Sequence, residues 1–405
     1  MISFETAQAA ILAEAKQQAG TEKVDLLFAL DRILAEDIIS NINIPPDDCS
    51  AMDGYAVLSE DLAGAQPDMP VTLRLTGEVA AGQKAQQKLW SGETIQIMTG
   101  APLPQGTEVV VPIEDTRADG DRISFLKYLP EGTNIRRSGE DIKKADLVLK
   151  SGEALTPVRI GLLSSLGINP VAVAKRPQVA ILATGNELLE PGQPHQAGKI
   201  YSSNHYSLAA QVKKAGGEPV LLGIAPDTKD GLKALIQQGL QYPIFISSGG
   251  ISVGKYDLVK TILEESGVEI KFWQVAIKPG KPTHFGTYNN NLIFALPGYP
   301  VASMLCFEHF IRPVISKMQG ADYSAKYTEA FLEQDLKFKP GRMQFLRAHL
   351  FSSNGTLFVC PLKGQGSGIL STLAKANCLL IIPPEQTELK AQDKVKVLIM
   401  DNHPS

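Results

Sequence analysis

Apolar residues recur along the chain with different periods, and each change of period marks a region. Phe4, Ala7, Ile11 and Ala15 stand at helical spacing behind Ser3, a residue suited to cap a helix start, and predict an N-terminal helix. Leu27, Leu30 and Leu34 share one face of a second predicted helix over 26–35. The chain then extends through 38–44 into Pro45-Pro46, where a helix cannot continue. From Asp47 to Asp141 the period falls to two. Apolar and polar residues alternate over 71–76 and 94–98, with glycine and proline turns between them, and predict an inserted, β-rich domain over 47–141. After an extended stretch over 147–155, Thr156-Pro157 opens a short helix that Gly167 ends. Residues 1–46 and 142–175 are expected to form one elongated domain interrupted by the insert.

Over 176–320 strand and helix patterns alternate. Strands are predicted over 179–183, 220–224, 244–248, 268–277 and 292–296. Between them fall helices over 204–215, up to about 240, from Asp257 through Leu258, Val259, Ile262 and Leu263, and from Pro300 through Met318. Such alternation gives a doubly wound, mainly parallel α/β sheet. Residues 323–405 show no long amphipathic helix. Strand-like runs over 345–351, 357–360, 378–382 and 395–400 predict a compact β-barrel or sandwich. The expected fold class is therefore multidomain α/β.

Composition narrows the class of function. A chain of 405 residues suits two to four domains, at about 100–200 residues each. With 44% hydrophobic and 20% charged residues it has ample material for a core, and a net charge of -4 argues against bulk binding to nucleic acid or membrane surfaces. Cys49, Cys306, Cys360 and Cys378 are widely spread without a C-x-x-C pair, so neither a zinc site nor a disulfide framework is suggested. The start lacks a basic region followed by an apolar run, and no apolar stretch approaches the roughly 18–20 residues of a bilayer span. A soluble, cytoplasmic protein with no nucleic-acid or membrane partner is expected.

In doubly wound sheets, ligands bind outside the carboxyl ends of the strands. Glu187, Asp227, Asp257 and the Lys278–Lys281 loop all follow predicted strands and should share one rim. Ser248-Gly249-Gly250 lies there too, where glycines let backbone N–H groups approach an anion closely. Taken singly, each acid is more often a helix cap and the glycine loop a tight connection. Jointly they suit an ion-bridged phosphate better than an apolar ligand, with Asp257 placed to hold magnesium against it. Elsewhere Asp53 before Gly54 reads most simply as a turn, and 136–141 as a solvated ion-pair loop. On spacing alone the loop around Ser367, near Arg342 and Arg347, reads as an ordinary hairpin. No G-x-S-x-G elbow, H-E-x-x-H pair or Walker lysine loop is present, and the six histidines are scattered. Residue chemistry alone supports a magnesium-assisted phosphate or anion reaction and names no substrate.

Several segments, in order, resemble the molybdopterin molybdenumtransferases. They are PDDCSAMDGYAV at 46–57, MTGAPLP at 98–104, Arg137 to Asp141, TGNEL at 184–188, SSGGISVGKYD at 247–257, KPGKP at 278–282 and LPGYPV at 296–301. The likeness spans nearly the whole chain. It implies that adenylated molybdopterin and molybdate react to give molybdenum cofactor and AMP, with magnesium or a similar divalent ion. It also implies a homodimer whose clefts combine the α/β domain of one subunit with the inserted domain of the other. Transient contacts with the molybdopterin adenylyltransferase and with cofactor-accepting enzymes follow from the same resemblance. By motif position the functional residues are Asp53, Thr99, Asp141, Glu187, Asp227, Asp257, Lys278, Arg347 and Ser367. Glu187, Asp227 and Asp257 would orient the metal and pyrophosphate, and Ser248, Gly249 and Gly250 would cradle the pterin or phosphate. Lys278, Arg347 and Ser367 would bind oxyanions, with Lys281, Pro297 and Pro300 completing the substrate surface.

The chain departs from the family pattern at Gln274, where a basic residue is frequent, at Tyr299, where Asn is usual, and at Asn186, where Asp is common. Loss of one cation leaves a tungstate-preferring insertase or a non-catalytic molybdopterin-binding scaffold as alternatives. The nicotinamide-nucleotide amidases share a related α/β domain, but the inserted segment and the C-terminal β region have no place in that reading.

Overall fold

Alternating side chains of three of the four parallel strands feed two separate cores. Val179, Ile181, Ile244, Ile246 and Phe294 enter one, while Ala180, Leu182, Phe245, Ile293 and Ala295 enter the other. The structure, a computed structural model, describes residues 1–17, 20–83, 87–250 and 258–400. The strands run in the order Glu218–Ala225, Gln178–Thr184, Ile244–Ser248, Asn291–Leu296, His284–Tyr288 and Glu269–Phe272; the first four are parallel and the last two join antiparallel. Helices Lys229–Gly239 and Leu258–Glu265 cover one face. Helix Ser203–Lys214 and the run from Pro300 to Met318 cover the other, joined by the N-terminal helix Phe4–Glu14. Burial on both faces explains why these strands read as continuous apolar runs.

Local chemistry accounts for the helix ends. The Ser3 hydroxyl accepts the Thr6 N–H at 3.1 Å, and Phe4, Ala7 and Ile11 face the core as their spacing predicts. The last long helix contains a π turn at Phe307–Ile311. Pro313 has no N–H for the carbonyl of His309, and the Gln8 side chain donates to that oxygen instead at 3.0 Å.

The C-terminal region is a closed five-stranded barrel. Met343–Ser353 pairs with Thr356–Pro361, then Tyr327–Leu332, Lys394–Ile399 and Cys378–Ile382 follow, and the last returns to Met343–Ser353. Leu332, Ala348, Val359, Leu380 and Val397 fill it.

The chain divides into two compact units: Met1–Ala35, Gly152–Pro157 and Pro170–Ser405 form one, and Glu36–Ser151 with Val158–Asn169 the other. Residues 1–46 and 142–175 are thus split between them. The second unit holds a six-stranded sheet in the order Val109–Pro112, Gly54–Val57, Glu93–Ile97, Val71–Val79, Arg122–Phe125 and Thr116–Asp119. Gly54 serves close approach rather than a turn. A Cβ there would lie 2.1 Å from the carbonyl oxygen of Val111 on the neighbouring strand.

Two expectations are corrected. Residues 26–35 form only a short 3-10 turn, Leu26–Phe28, before Leu34 N–H bonds the Glu153 carbonyl and Ala35 N–H that of Ala172. Backbone pairing with distant segments overrides the helical spacing. The strand expected over 268–277 is two elements: Glu269–Phe272 edges the α/β sheet, whereas Ile277–Lys278 pairs with Met343 and Gln344 of the barrel region.

Candidate active site at the carboxyl ends of the parallel strands

The chain leaves the Gln178–Thr184 strand towards one side of the sheet and the neighbouring Ile244–Ser248 strand towards the other. Such a switch point opens a crevice beyond the strand ends. Gly249 and Gly250 line it with φ of 95° and 67°. A Cβ on Gly249 would stand 2.6 Å from the carbonyl oxygen of Thr184, and one on Gly250 would stand 2.8 Å from the Thr184 hydroxyl. Glycine is therefore required twice, by conformation and by contact. Among the described residues the buried hydroxyls of Thr184 and Ser247 have no hydrogen-bond partner, the condition of groups awaiting a polar ligand or water.

The acids sit on the neighbouring loops. Asn186 N–H donates to Asp227 Oδ2 at 3.0 Å, and Asp227 N–H donates back to Asn186 Oδ1 at 3.2 Å. Asn in place of Asp at 186 therefore serves this reciprocal pair, because an amide oxygen accepts as a carboxylate would and adds no charge beside Asp227. The carboxylate of Glu187 lies over Gly185, within 2.4 Å of where a Cβ would stand, so Gly185 leaves it room. Glu187 and Asp227 are exposed oxygen donors after adjacent strands, while Asp257 lies outside the described residues. Among the described residues no three His, Cys, Asp or Glu side chains gather as a metal site.

Lys278 is exposed, at the start of a loop held from below. The Thr283 hydroxyl donates to the Gly280 carbonyl at 2.6 Å, and Cys306 Sγ lies 2.6 Å from where a Gly280 Cβ would be. Burial pushes the Cys306 thiol up to about 12, so it stays protonated and packs rather than attacks. Lys281 is half-buried in the same loop.

Pro297 is buried and Pro300 opens its helix at the first position. Val301 N–H donates to the Ser367 carbonyl at 3.0 Å, which seats the barrel's Ser367 loop beside this helix start. Exposed Tyr299 lies 3.5 Å from where a Gly368 Cβ would be. The backbone carbonyl of Gln274 accepts the Ile2 N–H at 3.0 Å. Arg347 stands on the barrel strand Met343–Ser353. Its guanidinium is buried, and Nη2 donates to the carbonyls of Gly364 and Gly366 at 2.8 and 3.0 Å. It shapes the loop that presents Ser367.

Asp53, Thr99 and Asp141 belong to the second unit. Asp53 Oδ1 accepts from the backbone N–H and from the hydroxyl of Thr99, both at 2.7 Å. These two bonds, the backbone one first, hold the exposed Asp53 carboxyl below its ordinary range. The 136–141 loop is an ion-pair loop as expected. Arg136 Nε meets Glu140 at 2.5 Å, Arg137 meets Asp48 at 2.7 Å, and Asp141 N–H donates to the Ile44 carbonyl. Asp48, unremarked in sequence, also accepts the Ser138 N–H at 2.7 Å and so anchors this loop.

Comparison with known proteins decides the family. Residues 2–167 match the MoeA N-terminal region (domain I and II), 180–317 the probable molybdopterin binding domain, and 329–400 the MoeA C-terminal region (domain IV). A molybdopterin molybdenumtransferase of Haemophilus influenzae is 38% identical over 98% of both chains. The chain belongs to the molybdopterin molybdenumtransferase family. A Bacillus subtilis member is 34% identical over 95% of this chain and 91% of its own. The crystal structure of the molybdopterin biosynthesis moeA protein from Pyrococcus horikoshii superposes with a TM-score of 0.84 at 33% identity, covering 99% of this chain and 100% of that one. Proteins bearing the family name are enzymes, and the family's architecture is the one described above. Among the described residues no helix is long and apolar enough to cross a membrane.

Proposed function

We propose that this enzyme inserts molybdenum from molybdate into adenylated molybdopterin, releasing AMP and molybdenum cofactor. The observation that carries the reading is the switch point itself, where Gly249 and Gly250 abut Thr184 and two buried hydroxyls lack partners among the described residues. A pterin with a phosphate tail supplies both the polar edge and the anion that such a glycine-lined cradle accepts. Exposed Lys278 and the Ser367 loop, seated by Arg347, would meet oxyanions, molybdate among them.

The donor set fits magnesium, a hard cation that takes carboxylate oxygens and retains water. Glu187 and Asp227, with Asp257, would hold it. When bound, it supplies charge neutralisation at the pyrophosphate as AMP departs. Asp53, kept ionised by Thr99, and Asp141 would face the reacting groups of a second copy's cleft.

A homodimer with shared clefts belongs to the same proposal. Leu27 and Phe28 are 87% and 75% exposed, and paired strand residues Ile39 and Leu147 are exposed as well. Apolar groups so placed suit burial by a second copy. Cytoplasmic work alongside the adenylyltransferase and the cofactor-accepting enzymes completes the reading. The direct test is AMP release by Glu187→Gln and Asp227→Asn across a magnesium titration. Loss of release that rising magnesium partly restores supports the metal assignment; unchanged release at every concentration refutes it.

A further inference from the structure

We infer that Asn204 is a positioning residue for substrate: its amide ties the Ser248–Gly250 loop, which borders the crevice, to the adjoining Pro297–Pro300 loop. The inference rests on the proposed function, since it assigns those loops to molybdopterin. Asn204 is the second residue of helix Ser203–Lys214 and is nine-tenths buried. Nδ2 donates to Ser248 Oγ at 2.7 Å and to the Gly298 carbonyl at 2.8 Å. The orientation is fixed by chemistry, because a carbonyl only accepts and the atom facing it must carry hydrogen. Ser248 Oγ, having accepted, is free to give its own hydrogen onward, and it lies 3.5 Å from the Pro297 carbonyl. Both amide hydrogens are thus used on loops that follow different strands.

This chain of bonds is the side-chain complement to one backbone link, Gly249 N–H to the Leu296 carbonyl at 3.2 Å. A Cβ on Gly298 would lie 3.4 Å from Gly249 Cα, so the two loops touch just beyond it. Among the described residues the buried Asn204 Oδ1 and the neighbouring Ser202 hydroxyl have no partner. The Asn204→Asp change would therefore set a negative oxygen against the Gly298 carbonyl, in place of a donor. Loosening either loop widens the cradle before any bond is made or broken. The loss should fall on substrate binding rather than on the chemical step.

The test measures KM and kcat for adenylated molybdopterin, KM for molybdate, and thermal melting, in wild type, Asn204→Ala and Asn204→Asp. Expected are a KM for the pterin raised about tenfold or more in both variants, corresponding to the loss of buried hydrogen bonds, with kcat and the molybdate KM little changed. The Asp variant should recover part of its affinity as pH falls and its carboxyl regains a hydrogen to donate, while the Ala variant does not. Unchanged pterin KM in both variants, or a fall in kcat alone, overturns the inference. So does unfolding of both, which would make Asn204 a scaffold residue. If wild type neither binds the pterin nor turns over, the proposed function has failed instead.

Discussion

Asp53 Oδ1 receives both the backbone N–H and the hydroxyl of Thr99, each at 2.7 Å, so one carboxylate oxygen is fixed and the other stays available. Both donors favour the ionised form. Removing the hydroxyl with Thr99→Val leaves the stronger backbone contribution in place. The acid limb of the pH profile of kcat/KM should therefore move upward, towards the ordinary carboxylate value, without vanishing. Asp53→Asn should cost far more, about a hundredfold in kcat. An unmoved acid limb in Thr99→Val would remove Asp53 from the titration.

Mixing inactive chains tests the shared cleft. Asp53→Asn damages the second unit, and Asp227→Asn damages the first. If each cleft joins units of two copies, re-associating equal amounts of the variants restores one intact cleft per mixed dimer, about a quarter of wild-type activity at random pairing. No recovery after verified subunit exchange would show that each chain completes its own site.

Acid stability should depend on His309. The ring packs 4.0 Å from Phe345 and 5.3 Å from Phe4, and burial pushes its pKa down to about 3. The unfolded chain binds a proton there below pH 6.5 while the folded chain does not, so stability falls as pH drops from that point towards 3. Urea unfolding at pH 7 and pH 5 reads the difference. In His309→Leu the loss between those values should be smaller by about 2 kcal/mol than in wild type. An equal loss would mean His309 takes up its proton in the folded state.

Gly54→Ala should destabilise the second unit by about 3 kcal/mol, since the added carbon meets the Val111 carbonyl oxygen on a paired strand and backbone must shift. Calorimetry should show the lower transition. Unchanged melting would mean that the strands separate freely there.

What the sequence disclosed was largely local. Ser3 with Phe4, Ala7 and Ile11 announced a capped helix because cap and stripe lie within a few turns. Strand-end glycines and acids pointed to one rim because a parallel sheet places its loops that way. The 26–35 stretch misled because its leucines keep helical spacing while their backbone pairs with residues near 153 and 172. Residues 268–277 misled because one apolar run serves two sheets. The hold of Arg347 on its neighbouring loop was not legible, since only the fold shows Nη2 donating to the carbonyls of Gly364 and Gly366. Asn204 gave no signal, for its partners lie 44 and 94 residues away.

The most direct measurement of the central claim is AMP release from adenylated molybdopterin by the purified protein with magnesium, with and without molybdate. The account predicts release that depends on molybdate and runs in step with molybdenum cofactor formed. Tight binding of the pterin with no AMP released in either case would contradict it.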